Sequence, residues 1–174
     1  AVAFGRTLAT RGITMVYGGG NVGLMGAAAD AALAAGGKVI GVIPRLLLEK
    51  EVGHGDLTQL HVVESMHERK ALMADLSDAF IALPGAFGTM DEMFEALTWR
   101  QLGIIDKPVG ILNVAGMYTP LLAFLDTLVR ERFLRPENRA MLLSSESLPE
   151  LIDLLERAPR THFDKWQDRV EAPP

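Results

Sequence analysis

Two glycine-rich stretches hold the residues best suited to chemistry. Gly18-Gly19-Gly20-Asn21-Val22-Gly23 fits the pattern G-x-G-x-x-G, directly after an apolar, β-branched run and before an alanine-rich one. Backbone amides at the start of a helix have no intrahelical acceptor and sit at the positive end of the helix dipole, so they attract an anion. A dinucleotide site of this kind also wants an acidic residue ~20 positions on to hold the ribose hydroxyls. Here the next apolar run ends in Ile43-Pro44-Arg45, which argues against NAD and leaves an anion site. A tight turn with close helix packing would use the same glycines. The second stretch is Pro84-Gly85-Ala86-Phe87-Gly88-Thr89-Met90-Asp91-Glu92. Thr89 suits a helix N-cap, and Glu92 three residues later would complete a capping box. Against that structural use stands the crowding of glycine, a hydroxyl and two carboxylates behind an apolar run, where open α/β sheets place their ligands. Two amide-rich loops suit a ligand with a phosphate and a sugar better than an apolar one.

The elements around these loops follow from periodicity. Val2 to Arg11 reads as a helix, Ile13 to Tyr17 as a buried strand, Leu24 to Ala35 as a helix closed by Gly36 and Gly37, and Lys38 to Ile43 as a strand. Arg45 to Asp56 reads as a partial helix and a mobile loop, and Leu57 to Val63 as a short strand. Glu64 to Leu76 is a helix with an apolar stripe and a basic shoulder at Arg69 and Lys70. Ala79 to Leu83 and Val109 to Leu112 read as strands; Thr89 to Leu102, Leu121 to Phe133 and Leu148 to Arg157 read as helices; a short extended piece is expected near Leu142. Alternating strands and helices predict an α/β fold, a Rossmann-like doubly wound, mostly parallel sheet with helices on both faces, in one nucleotide-binding domain spanning 1–174 with a tail from about residue 160. Right-handed crossovers would bring both glycine loops to one sheet edge.

Composition narrows the function classes. The 174 residues are 49% hydrophobic and 22% charged, enough apolar mass for one soluble globular domain with its own core. Without cysteine there is no disulfide, thiolate nucleophile or Cys-ligated zinc, and a cytoplasmic setting is expected. A net charge of -5 lacks the electrostatic footprint of a nucleic-acid-binding protein. No apolar run reaches the ~18 residues of a membrane span, and no signal peptide opens the chain. It begins at Ala1, not Met, so a preceding strand is expected. His54, His61, His67 and His162 show no metal-ligand spacing, and neither a metal nor an organic cofactor is expected. No serine sits in a G-x-S-x-G elbow.

Four segments together, Tyr17 to Gly26 (YGGGNVGLMG), Met66 to Lys70 (MHERK), Pro84 to Glu92 (PGAFGTMDE) and Thr98 to Gly103 (TWRQLG), resemble in order and spacing the Lonely Guy family, from Ala1 to about Phe133. Its members are cytokinin riboside 5'-monophosphate phosphoribohydrolases, formerly labelled lysine decarboxylases. That older label fits poorly, because pyridoxal chemistry needs a Schiff-base lysine in a phosphate-anchoring pocket and only Lys70 lies near the expected site. The resemblance implies hydrolysis of the N-glycosidic bond of an adenine-type nucleoside 5'-monophosphate such as AMP, giving free base and ribose 5-phosphate. It implies Arg69 and Glu92 as the catalytic pair. A carboxylate beside the sugar stabilises the oxocarbenium-like transition state more than the ground state. Glu92, expected in the first helical turn, should stay ionised and can orient or deprotonate water. The fork of Arg69 suits phosphate or a sugar oxygen. Gly18, Gly19, Gly20, Met25, Glu51, Lys70, Gly85, Ala86, Phe87, Gly88, Thr89 and Thr98 fall at substrate-binding positions, and Glu95 can share the face of Glu92. The resemblance also implies a homodimer, which the apolar residues Met90, Met93, Phe94, Leu97, Leu121, Leu122 and Leu125 would serve. Ala86 departs from the family motif PGGxGTxxE, and the family's first strand with its Gly-Ser loop has no counterpart here. A carrier that holds a nucleotide or cofactor without catalysis is the alternative; it needs the amides but not a carboxylate aimed at a sugar.

Overall fold

The structure is a computed structural model that describes residues 1–48 and 53–159. The chain divides into two compact units, Ala1–Ser77 and Asp78–Pro174. The first contains helix α1 (Val2–Thr10), strand β1 (Met15–Tyr17), helix α2 (Gly23–Ala34), strand β2 (Val39–Pro44), the single turn α3 (Arg45–Leu48), strand β3 (Gln59–Val63) and helix α4 (Met66–Leu76). Its three strands run parallel in the order β1-β2-β3, with Met15 opposite Val39 and Gly41 opposite Leu60. The central strand is buried, Val39, Val42 and Ile43 fully, whereas the edge strand β3 exposes alternate residues. Alanines make α2 narrow enough to lie against its neighbours: Ala28, Ala29 and Ala32 are fully buried, and a Cβ on Gly5 of α1 would run into the Ala28 carbonyl oxygen.

Helix α4 starts two residues later than periodicity alone suggests, because Ser65 caps it. The Ser65 hydroxyl accepts the Glu68 N–H at 3.1 Å, and the Glu68 carboxylate turns back to accept the Glu64 N–H at 2.9 Å. The proposed binding residue Glu51 lies outside the described residues.

The second unit contains β4 (Phe80–Ala82), α5 (Phe87–Gln101), β5 (Val109–Leu112), a 3-10 turn (Val114–Gly116), α6 (Thr119–Arg130), the short α7 (Pro136–Arg139), β6 (Leu142–Ser145) and α8 (Leu148–Arg157). Its parallel strands are ordered β4-β5-β6, with Phe80 opposite Val109 and Val109 opposite Leu142. Both sheets are therefore parallel and flanked by helices, as the α/β reading expects. Ala82, Met93, Ala96, Val109, Ile111, Tyr118, Leu125 and Leu142 form the core, with Met90, Leu97, Leu121 and Leu122 packed against it. This corrects the expectation that Met93 and Leu125 serve a subunit contact, since their own unit buries them. Exposed apolar groups of this unit include Phe94, Leu102, Phe124 and Phe133. Buried Arg100 fastens the end of α5, its guanidinium donating to the carbonyls of Met141 and Pro159 at 3.2 and 3.1 Å. Burial pulls its pKa down from the usual arginine value, and the charge of Asp106 pushes it back up. No helix among the described residues is long and apolar enough to cross a membrane.

Candidate active site

In the first unit the glycine loop follows β1 directly. Gly18, Gly19 and Gly20 are buried, and each glycine of the stretch has its own physical reason. A Cβ on Gly18 would fall on the guanidinium of Arg69, so the Arg69 side chain of α4 lies against the bare backbone at the C-terminal end of β1. Gly19 has φ +77°, a left-handed conformation that favours glycine, and any Cβ there would press on Ile43 and Leu60 at 3.2 and 3.3 Å. Gly20 forms an antiparallel bridge with Gly53. Gly23 has φ +67° and opens α2, and Gly26 lets that helix touch the Asn21 backbone. Backbone conformation or packing accounts for Gly19, Gly23 and Gly26, whereas Gly18 makes room for the Arg69 guanidinium. The N-terminus of α2 has no side-chain cap, and Met25 stands exposed in its first turn.

The Arg69 Nη1 also points to the Met66 sulfur at 3.7 Å, and Lys70 beside it is half-buried. His54 serves the loop structurally. Its N–H donates to the Gly19 carbonyl at 3.2 Å and its Nε2 lies 2.7 Å from an Asp30 oxygen. The Asp56 N–H donates to Nδ1 at 3.3 Å, which assigns the ring proton to Nε2. Tyr17 is buried with its hydroxyl lacking a hydrogen-bond partner among the described residues. Burial, then the charge of Asp30, push its pKa up to about 12.

In the second unit the loop after β4 turns sooner than expected. The buried Tyr118 hydroxyl donates to the Leu83 carbonyl and accepts the Gly85 N–H at 3.0 Å, closing the turn over Pro84. Helix α5 consequently begins at Phe87, with Ala86 as its N-cap and the Met90 N–H bonded to the Ala86 carbonyl at 3.1 Å. Two expectations are corrected. Thr89 is not the N-cap but the third helical residue, and its hydroxyl occupies the space where a Cβ on Gly85 would stand. Glu92 lies in the second turn, half-buried, so the helix dipole acts on it less than first-turn placement implies. The first turn carries neither an acid nor a side-chain cap, which leaves Phe87, Gly88 and Thr89 presenting amides. The Phe87 ring is 93% exposed. Ala86 has φ -102°, so alanine meets no left-handed strain at the position where the motif has glycine.

Along α5, Glu95 shares roughly the face of Glu92, whereas Thr98 is turned about 120° from it. The Thr98 hydroxyl is exposed and donates to the Phe94 carbonyl at 2.7 Å. Sequence reasoning missed Tyr118 and, behind it, Asn113, whose side-chain carbonyl accepts the Tyr118 N–H at 2.7 Å. The available signal was position: Asn113 immediately follows a strand, at the strand end where an α/β sheet gathers its working loops. Among the described residues no three His, Asp or Glu side chains cluster as metal ligands.

The chain is similar to several known proteins. A family model described as possible lysine decarboxylase matches residues 25–155. The probable cytokinin riboside 5'-monophosphate phosphoribohydrolase LOGL1 of Oryza sativa subsp. japonica is 49% identical over 162 residues, 93% of this chain and 73% of its own length. The cytokinin riboside 5'-monophosphate phosphoribohydrolase LOG1 of Arabidopsis thaliana is 49% identical over 156 residues, 90% and 73% of the two chains. Among solved structures, the molybdenum cofactor carrier protein of Chlamydomonas reinhardtii superposes with a TM-score of 0.66 at 22% identity, covering 90% of this chain and 83% of that one. The molybdenum cofactor binding protein of Rippkaea orientalis gives 0.65 at 24%, covering 89% and 83%. At those identities the two structures share the fold alone. The family-model match over most of the chain and the near-50% identity to its plant relatives agree with the four sequence segments: the chain belongs to the Lonely Guy family.

Proposed function

We propose that this protein hydrolyses the N-glycosidic bond of cytokinin-type nucleoside 5'-monophosphates. Water supplies a hydroxyl to C1' and a proton to the departing base, giving free base and ribose 5-phosphate. The observation that carries this reading is the 49% identity, over nine-tenths of the chain, to relatives named for that reaction. The seat of Arg69 on Gly18 supports it, because a guanidinium fixed beside an amide-rich loop suits a phosphorylated sugar. So do the uncapped first-turn amides of α2 and α5.

In this reading Arg69 and Glu92 are the catalytic residues. Glu92 stabilises positive charge on the ribose as C1' loses its base and orients the attacking water. Arg69 and Lys70 bind phosphate or sugar oxygens. Gly18, Gly19, Gly20, Met25, Glu51, Gly85, Ala86, Phe87, Gly88, Thr89 and Thr98 complete the binding set, with Gly85 contributing shape because Tyr118 already takes its amide. We further propose that both units act as one nucleotide-binding domain, that the protein works in the cytoplasm, and that it is a homodimer using Phe94, Leu102, Phe124 and Phe133.

The decisive experiment is incubation with AMP and with the isopentenyladenine ribotide, followed by chromatography for free base. Release from either nucleotide, with the bare nucleosides far slower, is the expected result. Tight nucleotide binding without any base release would point to the carrier alternative.

A further inference from the structure

We propose that Tyr118, set by Asn113, is a positioning residue that shapes the loop from Leu83 to Gly88 for the substrate's 5'-phosphate; the role rests on the phosphoribohydrolase reading above. One phenolic oxygen serves two backbone groups of the turn, donating to the Leu83 carbonyl and accepting the Gly85 N–H. The hydroxyl thereby spans Pro84 and fixes the direction in which the chain leaves β4. Two consequences follow for the loop. The Gly85 amide is committed to Tyr118, so the amides available to an anion begin beyond it, in the first turn of α5. That turn starts at Phe87, and the missing Cβ of Gly85 leaves room for the Thr89 hydroxyl in it.

Tyr118 is itself anchored to the sheet. It is only 4% exposed. The Asn113 side chain accepts the Tyr118 N–H at 2.7 Å and donates to the Thr119 hydroxyl at 3.1 Å, while the Asn113 N–H donates to the Ser145 carbonyl of β6 at 2.8 Å. A continuous run of hydrogen bonds thus leads from β6 through Asn113 and Tyr118 to the loop. A tyrosine needed only for the core would require neither bond of its hydroxyl to a glycine loop, since phenylalanine fills nearly the same volume.

Phosphate selectivity separates positioning from simple stability. Tyr118→Phe should raise KM for AMP at least tenfold with kcat within about threefold, because the phosphate grip is lost equally from ground and transition states. Calorimetric affinity for AMP should fall in parallel, while affinity for adenosine stays within twofold. A lower melting temperature with unchanged AMP affinity and KM would overturn the proposal. If Tyr118→Phe does not fold, Asn113→Ala replaces it. That change leaves the phenol in place but frees the Tyr118 backbone, and a selective loss of AMP over adenosine affinity is again expected; equal affinities before and after would overturn the proposal. Calorimetry needs no turnover, so a wild-type protein that releases no base from AMP would refute the hydrolase reading separately.

Discussion

Gly18→Ala tests the site with the least disturbance to the fold. The new Cβ would lie 1.9 Å from Nη2 of Arg69, 3.0 Å from its Cζ and 3.5 Å from its Nε, and nothing else closer is in its way. Ordinary contact is about 3.5 Å, so the tip of the guanidinium must retreat by about 1.5 Å. Its partner in the collision is the far end of a flexible side chain, not backbone. Gly18 is not among the glycines with positive φ, so alanine adopts the native backbone without left-handed strain. Removing a glycine from the unfolded chain contributes about 0.4–1 kcal/mol in favour of folding. Stability should therefore change by no more than about 1 kcal/mol, which is roughly 2–4 °C in melting temperature for a chain of this size.

Activity should respond very differently. Misplacing a catalytic group by about 1 Å can cost roughly 100-fold, or about 2.7 kcal/mol of barrier. The assay pairs thermal unfolding with kcat/KM for AMP, measured as base released. Normal kcat/KM in a folded Gly18→Ala protein would refute the seat of Arg69 as a catalytic requirement. The double variant with Arg69→Ala sharpens the comparison. If the glycine acts through Arg69, Gly18→Ala adds almost nothing to a chain already lacking the guanidinium; additive losses would show that Gly18 acts by another route.

Glu92→Gln should lower turnover at least ~100-fold and leave the melting temperature near that of the wild type; a turnover close to normal removes Glu92 from the mechanism. Ala86→Gly should change AMP turnover less than about threefold, under ~0.7 kcal/mol of barrier, because Ala86 already has a φ any residue adopts; a tenfold gain in steady-state rate would show that its methyl group obstructs the substrate. Gly5→Ala drives a methyl group into the Ala28 backbone, forcing α1 and α2 apart at a cost of about 3 kcal/mol, which urea unfolding can measure. Tyr17→Phe removes a buried hydroxyl with no hydrogen-bond partner among the described residues and should stabilise by about 1 kcal/mol. The raised Tyr17 pKa means that the folded state resists phenolate formation, so the wild type loses stability as pH rises from about 10 through about 12; Tyr17→Phe should lose less over that interval, and identical pH profiles would contradict the burial of an ionisable phenol.

The strands and long helices were legible because their signals are local and repetitive. Val109 to Leu112 and Leu148 to Arg157 appear with the expected bounds, the first a short, fully buried run without polar residues and the second an amphipathic repeat opened by Ser147 and Pro149. Short elements carry too few residues for any periodicity, so α7, four residues long, gives no comparable signal. The candidate site shows a sharper division. Residue types placed glycine, Arg69 and Glu92 in loops and helices suited to phosphate and sugar, but the assignment of particular roles came from resemblance, because a glycine's neighbours are set by the fold. Gly18 and Gly19 look alike in sequence. One is required by a side chain fifty-one residues away and the other by its own φ. The start of α5 was misplaced for the same reason. Local capping preference favours Thr89, yet a hydroxyl on Tyr118, thirty-three residues beyond Gly85, closes the turn earlier. Where a long-range hydrogen bond competes with a local cap worth about 1 kcal/mol, the better-buried bond sets the boundary. Glycine loops that serve ligands are where such competition is expected, since their short side chains leave the backbone's course to distant partners.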